Sequence, residues 1–357
     1  MIITMKKTFF LLFFTIMLFS SCSLKQDELK VEPIFIDFNN IKAFDLSEAM
    51  KIELETNSAS LLHSLDYIQF IDDKLYIQSR GQIKAFDKNN GNYLFNVGTR
   101  GRGPGEYTNF SNFYIKDDKL YIVDAMERRI LSYDKNGTYL SSIEYYRNNE
   151  NHLIPDKIFP LKNGKYISKN MYRGANSETP VASILDEDFN HLTSIQGRNL
   201  KTSITVVDVF CQHYGDILYW EVLNDTIYNI DNSGKINPRY FVDFNKHALP
   251  QSVSKKDVYD KIEFLNIPEN VKKIASLVKY VQHDENFVRF IFAFANNVYY
   301  VRYNKKNRTT NTYWISDSRQ LYEPLLFMYY EGGQVYFSAS STYETVNNPT
   351  IFVFNDV

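Results

Sequence analysis

The chain has 357 residues, 40 of them basic and 42 acidic, for a formal net charge of −2, with 27 Tyr and 27 Phe. No block of like charge stands out, which argues against a nucleic-acid partner, and two cysteines are too few for a disulfide framework or a cysteine-built zinc site. Abundant aromatic residues suit pleated, half-buried strands.

Lys6 and Lys7 precede an apolar run from Phe9 to Phe19, interrupted only by Thr15, and then Ser20-Ser21-Cys22. The run is too short to span a bilayer, which takes about 20 apolar residues. Charged start, apolar stretch and small-residue site together mark a processed leader over 1–21. The residues before Cys22 resemble a bacterial lipobox, in which Cys22 is acylated and becomes the first mature residue; an ordinary secretory signal is the alternative. Removing the leader lowers the net charge by a further two. Ser23 to Glu28 carries Lys25, Asp27 and Glu28, resembling an export signal for lipoproteins displayed at the cell surface; an acidic tether facing the periplasm is the other reading. The tether covers 22–33.

Ile34 to Phe38 and Lys51 to Leu54 are strand-like. A cassette then occurs twice. Asp73-Lys74-Leu75-Tyr76-Ile77 leads to Ile83-Lys84-Ala85-Phe86-Asp87-Lys88 and Gly91. Asp118-Lys119-Leu120-Tyr121-Ile122 leads to Ile130-Leu131-Ser132-Tyr133-Asp134-Lys135 and Gly137. The copies are offset by 45 residues at the first motif and 47 at the second. Short alternating strands at that period predict propeller blades. Weaker copies begin near Phe159, Gly215, Asn286 and Gly333, making six four-stranded antiparallel blades over 34–357. Part of the N-terminal piece is expected to complete the last blade and hide its edge; a seventh, degenerate blade is the alternative. The long interval between blades four and five contains 254–279, the best helical pattern: Ser254 and Asp257 suggest a capping box, Pro268 a second helix start, and Val271, Ile274 and Val278 one stripe.

Between the clear cassettes lies Gly98-Thr99-Arg100-Gly101-Arg102-Gly103-Pro104-Gly105-Glu106-Tyr107. With the lipobox and Ile52-Glu53-Leu54-Glu55-Thr56, this block resembles the six-bladed β-propeller lipoproteins of Gram-negative bacteria, relatives of NHL-repeat and TolB-like propellers. The resemblance implies an all-β propeller at the outer membrane and no particular reaction.

The glycines permit backbone conformations barred to other residues. The block then reads either as a tight crossover locked by Glu106 and Tyr107, or as an anion site using N–H groups with Arg100 and Arg102. No P-loop or strand–glycine–helix unit is present. Asp124, with Arg128 and Arg129, is expected at the mouth of the central channel. Asp87, Asp134 and Asp231 fit turn acceptors. The histidines lack metal-ligand spacing, so no metal or other cofactor is expected. Cys211 reads as a small buried hydrophobe. Tyr145, Tyr146, Tyr172 and Trp314 are candidates for stacking on sugar rings. The favoured function is a lipid-anchored binding or scaffold module for a glycan, peptide or partner protein. The alternative is a lactonase, lyase or hydrolase with a cation at the channel.

Overall fold

Alternation along each cassette strand sends successive side chains to opposite neighbours. Leu75 and Ile77 pack toward the last blade, whereas Tyr76 between them packs toward the second. The Asp after each third strand makes the hairpin. The Asp87 carboxylate accepts the N–H groups of Asn89 and Asn90 (2.8 and 3.2 Å). Asp134 accepts those of Asn136 and Thr138 (both 2.8 Å), and Asp231 those of Ser233 and Lys235 (2.9 and 3.0 Å). These are Asx turns, each followed by a glycine at positive φ: Gly91, Gly137 and Gly234.

The computed structural model describes residues 31–45, 48–145, 155–161, 164–170, 180, 182–195, 207–209, 217–221, 223–231, 233–316, 327–338 and 347–356. Residues 32–357 form one unit in which six sheets follow one another along the chain. Blade 1 is Tyr67–Ile71, Lys74–Ser79, Gln82–Asp87 and Tyr93–Asn96; blade 2 is Phe110–Lys116, Lys119–Asp124, Arg129–Tyr133 and Tyr139–Glu144. Blade 3 is Pro155–Pro160, Tyr166–Asn170, Ala182–Leu185 and His191–Ile195. Blade 4 is Val207–Val209, Ile217–Glu221, Thr226–Ile230 and Ile236–Asp243; blade 5 is Ser276–His283, Phe287–Phe294, Asn297–Asn304 and Thr309–Ser316. Blade 6 takes Phe327–Glu331, Gln334–Ser338 and Thr350–Asn355 from the C-terminal end. First strands of neighbouring blades approach one another, as 67–71 with 110–116 and 110–116 with 155–160, so they lie nearest the axis.

Each cassette therefore begins on the second strand of its blade, not the first. The inner strands hid because they do not alternate: Ile68, Gln69, Phe70 and Ile71 are all buried, as strands covered on both faces are.

The N-terminal segment does more than complete the last blade. Met50–Glu53 adds antiparallel to Thr350–Asn355 as the fourth strand of blade 6. Before that, Glu32–Phe35 adds parallel to the outer strand of blade 4, and Ile41–Asp45 parallel to that of blade 5. A belt thus runs along three consecutive blades, and no seventh sheet of blade size forms among the described residues. Its inward residues fill three inter-blade cores in turn: Ile34 and Ile36 between blades 4 and 5, Phe44 between 5 and 6, Ile52 and Leu54 between 6 and 1.

The helical insert is shorter and shifted. Helices span Gln251–Ser254, Val258–Leu265 and Pro268–Val271. Ser254 ends the first, and Asp257 caps the second by accepting the N–H of Asp260 (3.0 Å). Pro268 opens the third as expected. From Ser276 the chain is the inner strand of blade 5, so Val278 lies on a strand. A hydrophobic spacing of four and three cannot by itself separate a helix stripe from a fully buried strand.

The C-terminal end is fastened electrostatically. Arg289, 1% exposed, donates to Asp284 through Nη1 (2.7 Å) and to Asp356 through Nε and Nη2 (2.7 and 2.6 Å). Asp356 also accepts from the Tyr300 hydroxyl (2.9 Å), and the guanidinium lies 3.6 Å from the Tyr330 ring centroid. Burial raises the Asp284 carboxyl, but the Phe287 N–H and the Arg289 charge outweigh it and hold it below 3.8. Its folded value thus lies below the unfolded one, so its stabilisation is present above about pH 4 and lost as pH falls through the folded value. Arg289→Met should lower stability by about 3–5 kcal/mol at pH 7, because two carboxylates lose their buried partner. Chemical denaturation should show that loss narrowing at pH 3, where the carboxyls of the variant protonate.

Candidate functional site

The glycine-rich block crosses from the outer strand of blade 1 to the inner strand of blade 2. Thr99–Arg100 pairs in parallel with Glu106–Tyr107. The Glu106 carboxylate turns back into the loop and accepts the Gly103 N–H (2.7 Å), while Gly101 donates its N–H to the Tyr107 carbonyl (3.0 Å). A Cβ on Gly101 would sit 2.0 Å from Glu106 Oε2. Gly98 and Gly105 take φ of +63° and +72° against Tyr133 and Tyr139. Tyr107 is buried, and burial pushes its hydroxyl up to about 12. The Tyr133 hydroxyl donates to the Gly105 carbonyl (3.0 Å), and Arg129 Nη2 to the Glu106 carbonyl (2.8 Å). The loop's own glutamate thus fills the concavity that the sequence offers to an anion.

Asp124 does not lie on an inner strand. It ends the second strand of blade 2 and is fully buried. Its carboxylate accepts the Thr108 N–H (2.8 Å) and hydroxyl (3.1 Å), with the N–H groups of Asn109 and Glu127 at 3.4 Å. Arg129 stands 3.7 Å away. Asp124 and Arg129 therefore brace the crossover from below.

The remaining predicted residues gather on the outside of this brace. Arg100, Arg102 and Arg128 are exposed. Arg102 Nε lies 3.8 Å from Glu127 Oε1 with its side chain 86% exposed, which joins the loop to the turn that carries Arg128. Arg100 and Arg128 make no side-chain hydrogen bond or ion pair among the described residues. Arg128 holds φ of +52°, and Arg80, at the matching turn of blade 1, +41°. Such a conformation costs an arginine of order 1–3 kcal/mol. Nothing in the residue order announces it at Arg128. At Arg80 the following Gly81 is the one hint.

Tyr67 on the inner strand of blade 1 was missed entirely. It packs against the cores between blades 6 and 1, 1 and 2, and 3 and 4, so it reaches across the axis. Its only sequence signal is a tyrosine in a run of buried residues. Among the described residues no three His, Cys, Asp or Glu side chains converge as metal ligands. His283-Asp284-Glu285 forms the first turn of blade 5, with Asp284 committed to Arg289. Of the proposed stacking aromatics, Tyr145 is buried and Trp314 is exposed; Tyr146, Tyr172, Cys211 and Cys22 lie outside the described residues.

The insert covers blades 4 and 5 at the same end of the barrel of sheets. Val253, Val258 and Ile274 pack with Leu223 from a turn of blade 4, and Lys261 Nζ donates to the Leu223 carbonyl (3.2 Å). Burial pushes the nearby Asp225 carboxyl up to about 7; Lys261 opposes the rise and Asp243 adds to it. A raised folded value means stability is lost as pH climbs from about 4 through 7. Asp225→Asn should therefore raise the melting temperature more at pH 8 than at pH 4. Gly101→Ala and Glu106→Ala should each lower stability by about 1–3 kcal/mol, the first through collision and the second by leaving the Gly103 N–H unpaired, while Arg100→Ala stays within about 0.5 kcal/mol of the parent. Denaturant titration of the three variants checks this.

No curated protein matches the chain significantly. Among solved structures similar to it is a protein of Bacteroides fragilis described as exported, with 14% identity and a TM-score of 0.65 over 90% of this chain and 99% of that one. A member of the DUF4221 family from Bacteroides vulgatus matches with 10% identity and a TM-score of 0.59 over 89% and 100%. At these identities the likeness is one of fold. Residues 35–350 match the family described as a domain of unknown function, DUF4934, and the chain belongs to that family.

Proposed function

We infer that this is a binding module of the cell envelope, anchored to the outer membrane by an acyl group on Cys22, that holds a carboxylate- or sulfate-bearing glycan, or a peptide or partner protein of like charge, at the blade 1–2 crossover. The observation that carries the reading is the contrast between the two ends of the propeller. One end is closed by tight turns such as 72–73, 117–118 and 332–333; the other carries 54–66, 97–109 and 244–275. Long connections on a rigid frame are where recognition residues sit. Here the crossover is fixed by Glu106 and Asp124, and it presents Arg100, Arg102 and Arg128 to solvent. Guanidinium groups pair with planar anions through two parallel hydrogen bonds. Tyr67 across the axis favours this outer site over a cation-assisted reaction in the channel.

The test is binding of the mature protein to arrays of acidic and neutral polysaccharides. The parent should retain acidic chains only. The Arg100→Ala, Arg102→Ala, Arg128→Ala triple variant should lose at least about tenfold in affinity, about 1.4 kcal/mol, with an unchanged melting curve. Equal retention by parent and triple variant would sink the assignment. Stoichiometric calcium or zinc in the purified protein would favour the channel enzyme.

A further inference from the structure

The belt gives blade 4 a fifth strand that overhangs its four-stranded neighbour, blade 3. In that overhang Pro33 pairs with Phe241 and Phe35 with Asp243. Residues at alternate positions share a face, so Pro33, Phe35 and Phe241 form one patch. All three are exposed, Phe35 by 61% and Phe241 by 41%, while Ile34, Ile36, Tyr240 and Val242 on the opposite face are buried against blade 5. Phe35 is among the most exposed large apolar side chains described. Two phenylalanines and a proline side by side on an outer edge do nothing for the core and mark a surface with a partner.

We propose that this edge of blade 4 rests on the lipid surface to which Cys22 is attached, so that the propeller stands on its rim. The proposal rests on the anchored reading above. What selects the bilayer as occupant is the length of chain between Cys22 and the patch. Nine residues lie between Cys22 and Glu32, a reach of at most about 35 Å. A unit of this size has a radius of gyration near 20 Å, hence a diameter of roughly 50 Å. The first strand after the tether therefore stays closer to the bilayer than the width of the propeller. Tethering at that distance supplies an effective concentration in the millimolar range, so a patch too weak to hold a free protein on a membrane is still occupied. The glycine-rich crossover, on blades 1 and 2, is then held across the ring from the membrane.

The test uses the acylated full-length protein in vesicles of phosphatidylethanolamine and phosphatidylglycerol with brominated acyl chains. Phe35→Trp and, on the opposite side of the ring, Leu94→Trp are made in a Trp314→Phe background, since Trp314 is exposed and Trp220 is buried. The tryptophan at 35 should be quenched several-fold more than the one at 94. Phe241→Trp, read in the same way, stands in should the belt variant fold poorly. Equal quenching at the two positions, or none at either, overturns the proposal. A mass spectrum lacking acyl groups on Cys22 overturns the anchored reading, and this proposal with it.

Discussion

A ring of radial sheets stands or falls on how its ends are joined. Each blade satisfies its own ladder with local hairpins, but the seam between the last blade and the first must be made by residues far apart in sequence. Here the seam is Met50–Glu53 on Thr350–Asn355, reinforced where the chain passes to blade 1. Glu55 donates its N–H to the Gly91 carbonyl (2.9 Å), and its carboxylate accepts the Tyr93 N–H (2.9 Å). Asn348 stitches the same place from the other side, accepting the Leu62 N–H (2.6 Å) and donating to the Glu55 and Ser60 carbonyls (2.7 and 3.0 Å). A Cβ on Gly91 would meet the Glu53 carbonyl oxygen at 2.1 Å, so this glycine serves both its turn and the seam.

The belt extends that logic beyond closure. A four-stranded blade leaves an outer edge of unpaired N–H and C=O groups, which invites association. Blades 4 and 5 have theirs covered by a parallel fifth strand from the N-terminal segment, which then supplies the fourth strand of blade 6, and each pass also drops an apolar side chain into an inter-blade core. Hairpins within blades are local and close quickly, whereas belt contacts span nearly the whole chain and carry a large loop-closure entropy. The Arg289–Asp356 latch works at the neighbouring junction, tying the end of the C-terminal strand of blade 6 back to blade 5, through charge where the belt works through hydrogen bonds and packing.

Much of this was legible in the residues and some was not, for reasons that can be named. Blades 1 and 2 showed themselves because Asp87 and Asp134 are followed by glycines at the left-handed position of the turn. Blades 3 and 5 keep the same backbone with other residues there: Phe189 at φ +62° after Asp186, and Arg308 at +58° after Asn304. The geometry repeats while its sequence mark is erased, so the rhythm fades although the architecture does not. The parallel belt strands had no legible partner, because alternation in Ile34 and Ile36 says only that one face is covered. The role of the glycines at 98–105 was half legible. Their freedom was apparent; that Gly101 must be small to admit the Glu106 carboxylate was not.

The Glu106 carboxylate leaves the concavity of the crossover closed to an anion. Main-chain N–H groups at the crossover are already spent, that of Gly103 on the Glu106 carboxylate, that of Gly101 on the Tyr107 carbonyl and that of Thr108 on the Asp124 carboxylate. In the binding reading proposed above, a ligand would meet side chains on a closed frame and displace none of the bonds that keep the frame shut. The Arg100 and Arg128 side chains make no hydrogen bond or ion pair among the described residues, and Arg102 has one distant acidic neighbour. In that reading, exchanging these side chains would alter what is bound while leaving the crossover folded. The strain at Arg128 fits the same division. The turn that holds its backbone left-handed is secured by Asp124 and by the Tyr145 N–H bond to the Arg128 carbonyl (2.9 Å), so the frame bears the conformational cost and the guanidinium is left facing solvent.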